Sequence, residues 1–434
     1  KAIALTAKLK GTALAALIGQ RRLPVGLRTG VDVSITGKIQ QTRIELSELN
    51  VTAGGAQVLG TLVADHVGAS APTAVITTQK SSRWRVTTDT QWSKLDPFAF
   101  MPPRTGTAQR AVLNGSIKGT AIIDPTALTQ PIAASADVFL KDSRWGTQPL
   151  TGEAKLTLLG PADSPNQPPR IESSGNLVLA NNRARWSGRL GAAADVLTWS
   201  FDAQNLSVLQ ALDSAPRQDD AGVKATLSGV IKGQGTLSGK WNALAVDANV
   251  SGQDVVQSAT RVQKFAAKLQ VALQADAPFN LDLSADGISS GGQANASVGA
   301  LNLQGKGTLR EHRIEATGTL KQGERNLQLS AALAGRTEGT ASNAFAAWTG
   351  AIERLQVNEI AARDGALPLV WARVEPFTLR WKGSTPTSGT TFAADAGKAL
   401  IATVPINWSV LQYSAASTAQ VNAKFSGTGN IGPF

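Results

Sequence analysis

Apolar and polar residues alternate along almost the whole chain. Between 301 and 310, Leu301, Leu303, Gly305, Gly307 and Leu309 alternate with Asn302, Gln304, Lys306, Thr308 and Arg310. After Glu311 and His312 the alternation resumes, with Ile314, Ala316, Gly318 and Leu320 set against Glu315, Thr317, Thr319 and Lys321. A period of two puts successive side chains on opposite sides of a strand, so the pattern predicts strands with one apolar and one polar face. Val31, Val33, Ile35, Gly37 and Ile39 repeat it, as do Leu244, Val246, Ala248 and Val250, and Leu269, Val271, Leu273 and Ala275. The segments 280–287 and 326–335 are near copies, carrying Leu281 and Leu283 in one, and Leu327, Leu329 and Leu333 in the other. Strands of roughly eight to ten residues, each ending in a Gly, Asp or Asn turn, are expected. Repetition of one strand–turn unit predicts a stack in which each unit touches mainly its neighbours.

Few stretches break the pattern. The three prolines in 92–106 predict a loop and a seam, and 158–170 predicts a second loop. Short helices are expected over 11–20 and over Leu206, Leu209, Ala211 and Leu212. The organisation read from these breaks is an N-terminal sheet segment with a short helix at 1–91, a Pro-rich loop at 92–110, and a continuous sheet segment at 111–434.

At about fifteen residues per strand and turn, the chain supplies roughly 25 to 30 strands, and a single sheet of them would run on the order of 120 to 140 Å. Open sheets beyond ~10 strands curl or split. Sandwiches interdigitate large side chains from two inner faces. Here aromatics are 5% of the residues and the apolar rows are rich in the chain's 42 glycines. The expected fold is therefore all-β: one long, curled, repetitive sheet forming an elongated groove with an apolar interior, with one or two short helices. The candidate lining comprises Val31, Val33, Ile35, Leu244, Val246, Val250, Leu269, Val271, Leu273, Leu281, Leu283, Leu301, Leu303, Leu309, Ile314, Leu320, Leu327, Leu329 and Leu333. An apolar groove left open calls for an apolar ligand.

The net charge of +11 and a pI of 10.0 permit an anionic neighbour. The cations are spread along the strands, however, with no basic run interleaved with aromatics, so nucleic acid is not expected as a partner. Cysteine is absent, which excludes disulfides and thiolate metal sites. The two histidines, His66 and His312, are far apart and are expected in turns, as bystanders. Neither a metalloprotease helix, a nucleophile elbow nor a Walker loop is present, so no catalytic, metal or cofactor residue is expected and no enzyme. Gly233, Gly235 and Gly239 have the wrong spacing for a phosphate loop and are expected on the inner face of a strand. Asp219 and Asp220 fall in a polar loop. Trp145, Trp186, Trp199, Trp241, Trp348, Trp371 and Trp381 are expected to close a groove edge or cover a glycine. The apolar stretch at 11–20 is too short to span a bilayer, and a chain starting at Lys1 reads as a piece of a longer protein whose anchor lies outside it.

The order Gly307, Thr308, His312, Leu333, Gly335, Trp348, Gly350, Trp371 and Pro376 resembles the central region of the TamB family, the translocation and assembly module subunit within the wider AsmA-like group. The segment from Leu23 to Leu62 and the loop from Leu95 to Pro103 are similar to that family too. The resemblance implies an envelope protein of a Gram-negative bacterium, periplasmic and anchored in the inner membrane. It also implies phospholipid acyl chains as cargo moved between the two membranes. The other implied role is assembly of outer-membrane barrel proteins with a TamA-like barrel partner, contacted through regions absent here.

Overall fold

The computed structural model describes residues 2–10, 31–67, 83–97, 111–123, 133–159, 170–210, 227–274, 276–290, 296–323, 325–340, 343–360, 369–383, 390–401, 404–415, 419–422 and 424–427. The helix expected over 11–20, Ala211, Leu212, and the pair Asp219 and Asp220 lie outside them. The described residues form 27 strands and one short helix, in two units, Lys1–Ala225 and Thr226–Phe434.

The first unit holds β1 (Ile3–Leu9), β2 (Val31–Gln40), β3 (Arg43–Ala53), β4 (Ala56–Val67), β5 (Arg83–Leu95), β6 (Ala111–Ile123), β7 (Ala133–Trp145), β8 (Gln148–Leu159), β9 (Arg170–Leu179), β10 (Asn182–Leu190) and β11 (Val196–Ala203). Each pairs antiparallel with its sequence neighbours. Pairing continues from β5 to β6, so residues 96–110 link adjacent strands of one sheet. Residues directly opposed in a ladder share a face, and the registers therefore trace rows across the strands. One such row is Val33, Val51, Val58, Trp92, Gly115, Leu140, Gly152, Leu177, Ala184 and Phe201.

The second unit opens with β12 (Leu227–Ser238), β13 (Ala245–Gln257), β14 (Thr260–Ala272), β15 (Pro278–Ser290), β16 (Ala296–Thr308), β17 (His312–Gln322), β18 (Arg325–Thr340) and β19 (Asn343–Glu359), again a meander. Beyond β19 each strand is broken midway. Its far edge pairs with both β20 (Leu369–Val374) and β21 (Phe377–Lys382), on either side of Pro376. Proline has no N–H to give a ladder, which suits it to such a pause. The next level is β22 (Thr390–Ala394) and β23 (Gly397–Ile401), then β24 (Val404–Trp408) and β25 (Leu411–Ala415), then β26 (Ala419–Asn422) and β27 (Phe425–Gly427). Register survives the break, for Val374 opposes Ala399 and Leu379 opposes Ala394.

Strands β12–β19 run 11 to 17 residues, longer than alternation predicts. The reason is the β-bulge, which inserts one residue and shifts the phase of the alternation without ending the strand. In β7 the register jumps between Leu140 and Ser143, with Asp142 at φ 54°. Ser143, only 2% exposed, repairs the ladder there: its Oγ accepts the Asn114 N–H and donates to the Asn114 carbonyl, each at 2.8 Å. The Asn114 side chain in turn takes the Lys94 N–H at 2.8 Å. The one helix, α1 (Leu206–Gln210), ends where the described residues do. Asn205 caps it by accepting the Ser207 N–H and hydroxyl, and Asn182 clamps the Asn205 backbone through both amide atoms at 2.9 Å.

Candidate functional site: an apolar sheet face

Registers place sixteen of the nineteen candidate lining residues on one apolar face in each unit, three in the first and thirteen in the second, while Leu244, Leu273 and Leu309 lie just outside the strands. Val33 opposes Val51 and Ile35 opposes Leu49. In the second unit, one row runs Val250, Ala267, Leu283, Leu303, Ala316, Ala331 and Leu355, and the next runs Phe265, Ala285, Leu301, Gly318, Leu329 and Val357. A third holds Leu269, Leu281, Gly305, Ile314 and Leu333. Leu244 and Leu273 lie side by side, with the Leu273 N–H on the Leu244 carbonyl at 2.8 Å.

Most of these side chains are only half-buried. Leu281, Leu283, Leu301, Leu303, Ile314, Leu320 and Leu329 all keep part of their surface open, and Leu273 is 40% exposed. Val31, Leu309 and Leu327 differ: at 4%, 4% and 2% exposed they are covered by protein and have little surface left for a ligand. Among the described residues no large side chain is fully buried. The opposite face is polar, with Asn302, Gln304, Lys306, Lys268 and Asp282 exposed.

The glycines in the apolar rows are roofed by rings. Trp92 lies directly opposite Gly115, where an added Cβ would come 2.6 Å from Trp92 Cζ2. Trp186 covers Gly175 in the same way, Phe265 covers Gly252, Trp348 covers Gly335 and Gly350, and Trp408 covers Gly397. Glycine thus serves as a seat for a flat ring, so the apolar rows stay low and continuous. Gly233 and Gly235 sit inside β12 with their partners Val250 and Ala248, on the apolar face.

The histidines are in strands, since pairing extends further than the turn signals suggest. His66 lies within β4 opposite Trp84, their rings edge-on at 5.5 Å. His312 opens β17 opposite Gly307 and Gly335, and its Nε2 accepts the Trp348 indole N–H at 2.8 Å. Sequence reasoning missed that pairing, because 36 residues separate the two rings.

Charged groups sit apart from the apolar rows. Arg170 grips Asp195 with two hydrogen bonds, 3.0 and 2.5 Å, and the Ala192 N–H adds a third at 2.8 Å. The guanidinium beside it holds the Asp195 carboxyl below the usual carboxylate range against the opposing effect of burial. Arg380 does the same to Asp395, at the break between β22 and β23. Among the described residues no His, Asp or Glu cluster could hold a metal ion, and no helix is long and apolar enough to cross a membrane.

A repetitive meander with an apolar face in each unit is the context for the family comparison. Residues 154–363 match the family model described as TamB, N-terminal domain. This stretch of the chain belongs to the TamB family. The TamB match takes in β12 to β19, and with them all sixteen candidate lining residues of the second unit together with His312 and Trp348. It stops short of Trp371 and Pro376. No curated protein and no solved structure matches the chain significantly.

Proposed function

We propose that the chain is a non-enzymatic part of a periplasmic lipid conduit, carrying phospholipid acyl chains between the inner and outer membranes and so supporting outer-membrane biogenesis. In this reading it is held to the inner membrane by a segment outside the chain. The observation that carries it is the set of unbroken apolar rows that cross β12 to β19 half-open, with no second layer of side chains over them among the described residues. An acyl chain laid on those rows gains about 0.8 kcal/mol per methylene removed from water, while its head group stays wet. Low, ring-roofed glycines favour sliding over tight docking, because nothing projects to trap one lipid.

The test is a matched set of variants analysed by native mass spectrometry for bound phospholipid. Leu303→Asp and Leu329→Arg put a charge into the rows and should cut lipid per protein about tenfold. Gln304→Asp and Gln328→Arg, one residue along and on the polar face, should change it little. Equal loading in all four variants would end the lipid reading.

A second reading follows from β1, which contains no proline and pairs along only one edge among the described residues. Such an edge can accept a strand, which suits a scaffold for barrel proteins working with a TamA-like partner. Loss of barrel assembly in Thr6→Pro, with lipid loading intact, would favour it.

A further inference from the structure

The two margins of the apolar face in the second unit are built differently. Along one, Trp348 opposes Trp381, Trp381 opposes Phe392, and Phe392 opposes Tyr413, an aromatic row across four adjacent strands. Phe392 and Tyr413 are 37% and 38% exposed. Along the other, the row is Val262, Ile288, Val298, Leu320 and Leu327, aliphatic throughout. Rings of Trp and Tyr join an apolar body to a polar N–H or O–H, and they settle where an apolar phase meets a polar one.

His312 stands beside the aromatic margin. Its ring-strand neighbours are Gly307 and Gly335, which offer no side chain, while Phe279 and Trp348 flank it at centroid distances of 6.0 and 6.2 Å. Because Nε2 accepts the Trp348 N–H, the neutral imidazole carries its own proton on Nδ1. No protein acceptor meets Nδ1 among the described residues, and it is not sealed from solvent, so this N–H is left to bond a group outside the protein at the edge of an apolar surface.

We infer that a glycerophospholipid on this face lies with its phosphate end over the aromatic margin, where the His312 Nδ1–H donates to a phosphate oxygen, and its tails across the rows of Leu303 and Leu329. The inference rests on the lipid reading above and adds a polarity to it: one lip of the face takes head groups and the other does not. The donor is neutral and single, so it orients a lipid without holding it long.

Two measurements test this. Phosphatidylglycerol carrying a diazirine on its head group, or at the end of one tail, is photo-crosslinked to the wild-type chain and the adducts are mapped. Head-group adducts should fall around His312, Trp348 and Trp381, and tail adducts across the rows toward Leu320. Binding of dihexanoylphosphatidylglycerol and of dihexanoylglycerol, which lacks the phosphate, is then compared in wild type and His312→Phe. The variant should lose about tenfold for the phospholipid and nothing for the diacylglycerol. In 15N-histidine spectra, which contain only the His66 and His312 rings, the phospholipid should move His312 alone. Head-group adducts spread equally over both margins, or equal losses for both lipids, would overturn the inference and leave the lipid reading standing. Adducts from neither probe would remove both.

Discussion

Around α1 the first unit packs like an ordinary protein, whereas around Leu303 the second does not. Leu150, Leu179 and Val208 are 6%, 7% and 7% exposed and form a cluster with Leu113, Leu140, Trp145, Ala180 and Leu209 against them. Leu303 and Leu329 occupy the same kind of register position, on the apolar face of a bulged meander, and remain partly open. The difference is one helix of five residues, seated by Asn182 and Asn205. An identical alternation of residues therefore produces a packed core or an open surface according to what lies over it, and only the open surface is free to take a ligand.

The sharpest way to break the comparison is to place the same charge in both regions. Leu179→Asp should destabilise the first unit by about 3 to 5 kcal/mol, because an unpaired carboxylate is enclosed there. Leu303→Asp should cost about 1 kcal/mol or less, since water still reaches the site. Thermal and urea unfolding followed by tryptophan fluorescence distinguish the two, and equal destabilisation would show that the second face is as closed as the first. A smaller effect concerns the bulge that bends β7: Ser143→Ala strands the Asn114 N–H and carbonyl and should lower stability by about 1 to 3 kcal/mol, read by the same melts. The smallest is electrostatic. The folded-state pKa of Asp195 lies below its unfolded value, so its contribution is present above the ordinary carboxylate range near ~3.9 and is lost as pH falls through the lower folded value. Melts of the wild type should therefore weaken as pH drops below about 4, and Asp195→Asn should flatten that part of the profile.

Much of this was legible in the sequence. Period-two alternation specifies strands and their faces, and the expectation that Trp186 and Trp348 close a groove edge or cover a glycine meets its second form, with Trp186 over Gly175 and Trp348 over Gly335. What alternation hides is the phase shift. Asp142 adopts a positive φ and slips the pattern by one residue, which from sequence looks like the end of one strand and the start of another. The cover over Leu150 and Leu179 was foreseen only as a short helix near Leu206 and Leu209, with no sign of where it would sit, since hydrophobic pattern records which face is apolar and says nothing of its neighbour. The His312–Trp348 bond was hidden by distance along the chain; the one signal for it was that both residues stand next to glycine-bearing strands.

Because every ladder in β12–β19 joins sequence neighbours, this part of the sheet can change length without changing character. Deleting β14 and β15 together would bring β13 against β16, with Val250 facing Leu303, Ala248 facing Gly305 and Val246 facing Gly307, which are the positions those residues already hold in their rows. Loss of a single strand would instead reverse the chain direction of everything after it. Duplication and loss of whole hairpins is thus the mutational route open to this architecture, and descendants of one ancestor could differ in span by steps of about 10 Å, two strand spacings, while keeping one uninterrupted apolar surface.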